Sequence, residues 1–328
     1  MRGTTLSFDS IENSAVVREQ WVAIPGFRLF TRLEGSRPAG CAPMLPSIVL
    51  EAGGGAHADW WAWVQQRLAR HTVVLAYDRA GLGRSAGGGN PARADIGAMA
   101  TARRLHDLLR ALATQGLPPP YLLVGHSLGG LYAQAYASAY PEQVCGVALV
   151  DHTLAPQGGA LLPRLLCAGL SALATISGAW ARLRPAQRWR LTRNAALKLA
   201  GELPGAARAS IIEALNTPLQ LSGALREVGA LHTLLRWVAR TPLPVGLPVL
   251  CVSAGRRTGA QARARTSDQQ AQRQQFSRRI AAAHCLRIDE ADHASLLTHP
   301  EHAARLADAL LAFGAALPPA RPTPGMTT

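Results

Sequence analysis

Pro119-Pro-Tyr-Leu-Leu-Val-Gly-His-Ser-Leu-Gly-Gly-Leu131 joins a short apolar run to a helix-compatible run through a Gly-His-Ser-Leu-Gly core. The pattern predicts a strand, a sharp turn and a helix, with Ser127 at the apex. A backbone turning that tightly crowds its neighbours, so the positions two before and two after the serine must lack bulk. Gly125 and Gly129 meet that requirement, and Gly130, Ala133, Ala135 and Ala137 keep the following helix slim. Such a turn lifts the Ser127 hydroxyl clear of the sheet edge and points the Leu128 amide, at a helix N-terminus, towards any oxyanion forming there. A serine hydroxyl is a weak nucleophile without a histidine base, so a nucleophilic Ser127 requires such a partner elsewhere in the chain.

The pattern around this stretch is an alternation of strands and helices. Residues 16–34 alternate apolar and polar around Pro25-Gly26, which predicts an antiparallel hairpin. Buried strands are expected at residues 47–51, 72–77, 143–150, 248–253 and 285–289, with helices from Asp59 (itself a plausible N-cap), over 94–113, over 267–283 and from Pro300 to about Phe313. From His152 to about Val245 the alternation stops. Pro163, Pro185, Pro204 and Pro218 punctuate a helical stretch with no convincing strand. The expected organisation is a doubly wound, mostly parallel sheet of the α/β class, over residues 1–151 and 246–316. A helical cap is inserted over 152–245, and a Pro- and Thr-rich tail, 317–328, is expected to be disordered.

Composition narrows the function. The chain has 328 residues, of which 48% are hydrophobic, enough for a large core. The net charge of +14 comes from 34 basic residues of which only Lys198 is lysine, and the arginines run from Arg2 to Arg321 without massing on one element. That scatter argues against a nucleic-acid partner and leaves at most weak attraction to an anionic surface. Five widely spaced cysteines without a C-x-x-C pair fit a reducing compartment, and residues 1–10 lack an apolar signal core, so a cytoplasmic location is expected. The longest uncharged run, 165–181, is short and polar-diluted for a span, so it reads as a buried or membrane-skimming helix of the cap. No metal or cofactor is expected: there is no H-E-x-x-H, and His299 with His302 lacks further obvious ligands.

Catalytic groups in a doubly wound sheet gather at the carboxyl ends of its strands. Of ten histidines, His57, His126, His152 and His293 follow predicted strands. His126 is expected to point away from its neighbour in the turn, and His293 follows the last strand on a loop able to swing back over the sheet. His293 is therefore the expected base. The acid is Asp151, at the end of the strand after the nucleophile, in preference to Asp268. No carboxylate stands between Ser253 and Asp268. The oxyanion donors are the amides of Leu128 and of the Gly53-Gly54-Gly55 loop, with Gly54 chosen.

Taken together, Leu50-Glu-Ala-Gly-Gly-Gly with Trp60, Tyr77-Asp-Arg-Ala-Gly-Leu-Gly-Arg-Ser, Tyr121-Leu-Leu-Val-Gly-His-Ser-Leu-Gly-Gly, Val147-Ala-Leu-Val-Asp151 and Asp292-His293 resemble the α/β-hydrolase superfamily over nearly the whole chain. The resemblance implies an eight-stranded sheet and acyl chemistry at Ser127. It departs from the common pattern twice. The acid position after the later strand is empty, which points to the less common arrangement with the acid at Asp151, and Ala52-Gly53 stands where a His-Gly pair is usual. The expected activity is hydrolysis of an ester of a small, largely apolar substrate through an acyl-enzyme. The alternatives are a slow or non-catalytic ligand binder and an acyltransferase using the same residues.

Overall fold

The computed structural model describes residues 16–36, 45–88, 95–153, 194, 196–256 and 283–318. Asp268, the 165–181 run and residues 267–282 of the expected helix lie outside them, while Ala283, expected to end that helix, opens a strand instead. Eight strands form one sheet: β1 (Val17–Ile24), β2 (Phe27–Glu34), β3 (Ser47–Glu51), β4 (Val74–Tyr77), β5 (Tyr121–His126), β6 (Val144–Val150), β7 (Val249–Ala254) and β8 (Ala283–Ile288). Their spatial order is β1-β2-β4-β3-β5-β6-β7-β8. The β1–β2 hairpin turns at Gly26, and β2 runs antiparallel to β4, whereas every pairing from β4 through β8 is parallel.

Burial follows position in the sheet. Central β3 and β5 are buried at every residue, as strands covered on both faces must be. Edge strand β1 alternates and leaves Trp21 half exposed, edge-on to Phe30 across the hairpin. On one face, helix α2 (Ala98–Ala113) contributes Leu105, Leu108, Leu109 and Leu112 at helical spacing, and α3 (Gly129–Ala139) packs beside it. Each fully buried leucine contributes about 1.5–3 kcal/mol. On the other face, α1 (Ala62–Leu68) packs Val64 and Leu68 against Ile48 and Leu50, along with Leu306 and Leu310 of the C-terminal helix.

Between β6 and β7 the described residues are helical, with α4 (Gly205–Leu215) and α5 (Pro218–Arg240) the two full helices. The last long helix is α6 (Pro300–Ala316). Trp60 and Trp63 pack beneath Ala200, Leu203, Ala207 and Ile211 of the inserted segment, while Trp61 is fully buried in the core below the sheet. Among the described residues no helix is long and apolar enough to cross a membrane.

One local expectation fails. Asp59 does not cap a helix: the chain enters α1 through a 3-10 turn, Ala58–Trp61, with no side-chain cap. Two guanidinium groups compete for the carboxylate and win, Arg32 at 2.7 Å and Arg84 at 2.9 Å. There the carboxylate meets two full positive charges, whereas a cap would offer it only neutral backbone amides. This ties the hairpin, α1 and the loop after β4 together.

The turn between β5 and α3 holds the tightest packing. A Cβ on Gly125 would stand 2.6 Å from the Gly129 carbonyl oxygen, and one on Gly129 would overlap the carbonyl oxygens of Glu51 and Ala52. Neither neighbour is a flexible side-chain end, so neither can yield. Gly129→Ala should therefore cost at least about 3 kcal/mol in urea unfolding. Gly26→Ala, at φ +78 but with no neighbour within 4 Å, should cost only about 1–2 kcal/mol. Equal losses would contradict the packing assignment.

Candidate active site

Ser127 sits at the apex of the turn with φ +53, a left-handed conformation that a serine adopts only where its surroundings enforce it. Its amide donates to the Val150 carbonyl (3.0 Å) and its carbonyl accepts from the Thr153 amide (3.1 Å), so the elbow is stitched to the end of β6. Asp151 lies at that end, also left-handed at φ +37. The Asp151 amide donates to Val252 of β7 (2.7 Å), and Oδ1 accepts from the Ala254 amide (3.2 Å).

The other carboxylate oxygen of Asp151 lies 2.6 Å from His293 Nδ1. His293 reaches it from the loop after β8. Asp292 shapes that loop: its Oδ1 accepts from the amides of Ala294 (3.0 Å) and Ser295 (2.9 Å). The imidazole side chain is half exposed and Asp151 is buried, so one nitrogen is held while the other edge of the ring stays open. Among the described residues the Ser127 hydroxyl makes no hydrogen bond to that imidazole.

His126, which the turn is expected to aim away from Ser127, is a neighbour of His293. The two rings lie 4.5 Å apart, and His126 Nε2 is 3.0 Å from the His293 carbonyl oxygen. A carbonyl only accepts, so this nitrogen carries the proton. Burial first, and the adjacent His293 second, hold the His126 pKa down at about 3, which keeps the ring neutral. His57 is buried near Asp59, with Nδ1 3.5 Å from its carboxylate, and His152 is buried beside α3, where a Cβ on Gly130 would stand 2.6 Å from its own.

The glycine loop after β3 lies against the elbow. A Cβ on Gly53 would stand 3.4 Å from Ser127 Cβ, and one on Gly54 3.3 Å from Leu128 Cδ1. The amides of Gly54 and Leu128 make no backbone hydrogen bond among the described residues. Beneath this loop, and unforeseen in the sequence, lies a buried ion cluster of Glu51, Arg79 and Glu227. Burial works against the charge of Arg79, but Glu227 and Glu51 outweigh it and hold its pKa well above the usual arginine range. Asp78-Arg79 follows β4 directly, and the Arg79 partner Glu227 is 148 positions away on α5, where no local pattern marks it. Among the described residues no group of side chains forms a metal site.

A mostly parallel sheet wound on both faces, a serine at a left-handed strand-to-helix apex and a histidine bonded to a carboxylate at the strand ends define a protein of the α/β-hydrolase class. The chain belongs to the alpha/beta hydrolase family, whose model matches residues 48–309. It is 30% identical over 127 residues to an AB hydrolase superfamily protein of Gibberella zeae, covering 38% of this chain and 37% of that one. It is also 30% identical over 105 residues to a monoacylglycerol lipase of Mus musculus, covering 32% and 30%. The chain thus spans about a third of the length of these curated relatives. Among solved structures, the enol-lactonase of Burkholderia xenovorans superposes with a TM-score of 0.58 at 20% identity, over 90% of this chain and 99% of that one. An epoxide hydrolase, CorEH, superposes with a TM-score of 0.64 at 16% identity, over 92% and 99%. These likenesses establish the fold.

The His126 environment sets a pH dependence. The unfolded chain takes up this proton near pH 6.5 and the folded chain only near 3, so between those values the unfolded state binds more protons. Stability therefore falls as pH is lowered through that window. His126→Phe, less stable at neutral pH for want of its bond to His293, should show a shallower decline between pH 7 and 5 in urea melts. Identical slopes would contradict the assignment.

Proposed function

We propose that the protein is a serine hydrolase that cleaves an ester of a small, largely apolar substrate through an acyl-enzyme, with Ser127 as nucleophile, His293 as general base and acid, and Asp151 as the orienting carboxylate. The observation that carries this reading is the 2.6 Å contact between His293 Nδ1 and Asp151, made beside a serine held in a left-handed turn. A carboxylate on Nδ1 fixes the tautomer that leaves Nε2 free to accept a proton, and it stabilises the imidazolium that follows.

The steps follow from these groups. Ser127 Oγ attacks the acyl carbonyl as its proton passes to His293. The negative charge gathering on the carbonyl oxygen is met by the amides of Leu128 and Gly54. His293 then protonates the departing alcohol, and a water deprotonated by His293 releases the acid. A serine in this position also bears on the choice among relatives. An epoxide opened by serine would leave an ether with no carbonyl for water to attack, whereas an acylated serine leaves a hydrolysable ester. The names of relatives that act on monoacylglycerol or an enol lactone accord with acyl chemistry. The apolar 165–181 stretch of the inserted segment suits an apolar acyl or alcohol group. The protein is further proposed to need no cofactor, to bind no nucleic acid and to act in the cytoplasm.

Turnover of p-nitrophenyl esters tests the reading. Ser127→Ala and His293→Ala should lower kcat at least about 10⁴-fold, and Asp151→Asn by about 10³- to 10⁴-fold with the fold intact. Unchanged turnover in Ser127→Ala would overturn the assignment. A single burst followed by near-silence in the wild type would favour a ligand binder that keeps the same groups.

A further inference from the structure

Helix α5 turns one face, Gln220, Gly223, Ala224 and Glu227, onto the two loops that leave β3 and β4. The approach is close. A Cβ on Gly55, at φ +68, would stand 2.6 Å from Ala224 Cβ, and one on Gly223 would overlap the Gly81 carbonyl oxygen. The same face grips Gly55 at both ends of its backbone. The Gly55 amide donates to Glu227 Oε2 (2.8 Å), and the Gly55 carbonyl accepts from Gln220 Nε2 (2.5 Å). Gln220 Oε1 in turn accepts from the Gly83 amide (2.6 Å), so one side chain joins both loops.

Glu227 also holds Arg79 through two parallel bonds, Oε1 to Nε at 2.7 Å and Oε2 to Nη2 at 2.9 Å. The free edge of the guanidinium is spent on the loop below it. Nη1 donates to Glu51 Oε1 and to the Ala52 carbonyl, both at 2.6 Å, and Nη2 donates to the Gly53 carbonyl at 2.7 Å. That last bond matters for a peptide-geometry reason. The Gly53 carbonyl and the Gly54 N–H belong to one planar trans peptide unit and point in opposite directions. The guanidinium, together with the Ala56 amide at 3.1 Å, holds the Gly53 oxygen and so fixes the direction of the Gly54 N–H, and Gly54 itself lies beside Leu128 at the elbow.

We propose that Glu227 and Gln220 of α5, acting through Arg79 and Gly55, are positioning residues that aim the Gly54 amide at the oxyanion. The inserted helix is thereby a working part of the reaction as well as a cover. This rests on the serine-hydrolase reading above, because only that chemistry needs an oxyanion donor at Gly54. A mobile donor would bind the ground state nearly as well and fail mainly in the transition state, so the deficit falls on kcat.

The test pairs ester kinetics with hydrogen–deuterium exchange on the full chain. Glu227→Gln and Gln220→Ala should each lower kcat about 10-fold or more while KM moves by less than about two-fold. Both should speed amide exchange in the peptide spanning residues 53–57. Gln220→Ala leaves no buried charge behind and guards against a Glu227→Gln chain that fails to fold. A wild type with Ser127-dependent turnover whose two variants match it in kcat sinks this proposal alone, as does a kcat that falls only in step with the folded fraction. A wild type that turns over no ester sinks the hydrolase reading and this proposal with it.

Discussion

The carbonyl oxygens of Glu51 and Ala52 press so closely on the α carbon of Gly129 that no side chain fits between them. That contact between the end of β3 and the start of α3 sets the geometry of everything above it. It lets the chain reverse within a few residues after β5, where Ser127 stands in the left-handed region. It also draws the glycine loop after β3 alongside Leu128. The strain is sustained by backbone bonds on both sides of the serine, to Val150 and from Thr153, which hand the constraint on to β6 and so to Asp151.

Charge is arranged around the elbow in two ways. On the outer side, Asp151 and His293 form a pair with one partner buried and the other half exposed, and neutral His126 supports the imidazole loop without adding a second positive charge. On the inner side, Arg79 is fully committed between two carboxylates and two backbone carbonyls. Isolated, such a buried ion would be strongly destabilising; with every donor matched it becomes a rigid strut. The inner cluster braces the glycine loop and the outer pair faces the open side of the site.

What could be read in advance depended on how local the signal was. The elbow was legible because Gly125, Ser127 and Gly129 act within five residues, and the sheet was legible because buried strands carry apolar runs such as 48–50 and 121–124. The closeness of Asp151 and His293 could be anticipated because both follow strands that end on the same edge. Asp59 misled because its place before a helix resembles a cap, while its guanidinium partners come from β2 and from the loop after β4. The contact of His126 had no local signal for a related reason: the loop that it meets comes from beyond β8. Glu227 gave no signal, since a glutamate on an amphipathic helix reads as solvated until the fold sets it over Arg79.

The central claim is that the strained serine is the group that reacts. It is tested most directly by exposing the protein to an alkyl fluorophosphonate and locating the adduct by peptide mass spectrometry. The account predicts one adduct, on the peptide bearing Ser127, formed much more slowly in His293→Ala. An adduct on another residue, or labelling of Ser127 at an unchanged rate without His293, would contradict it.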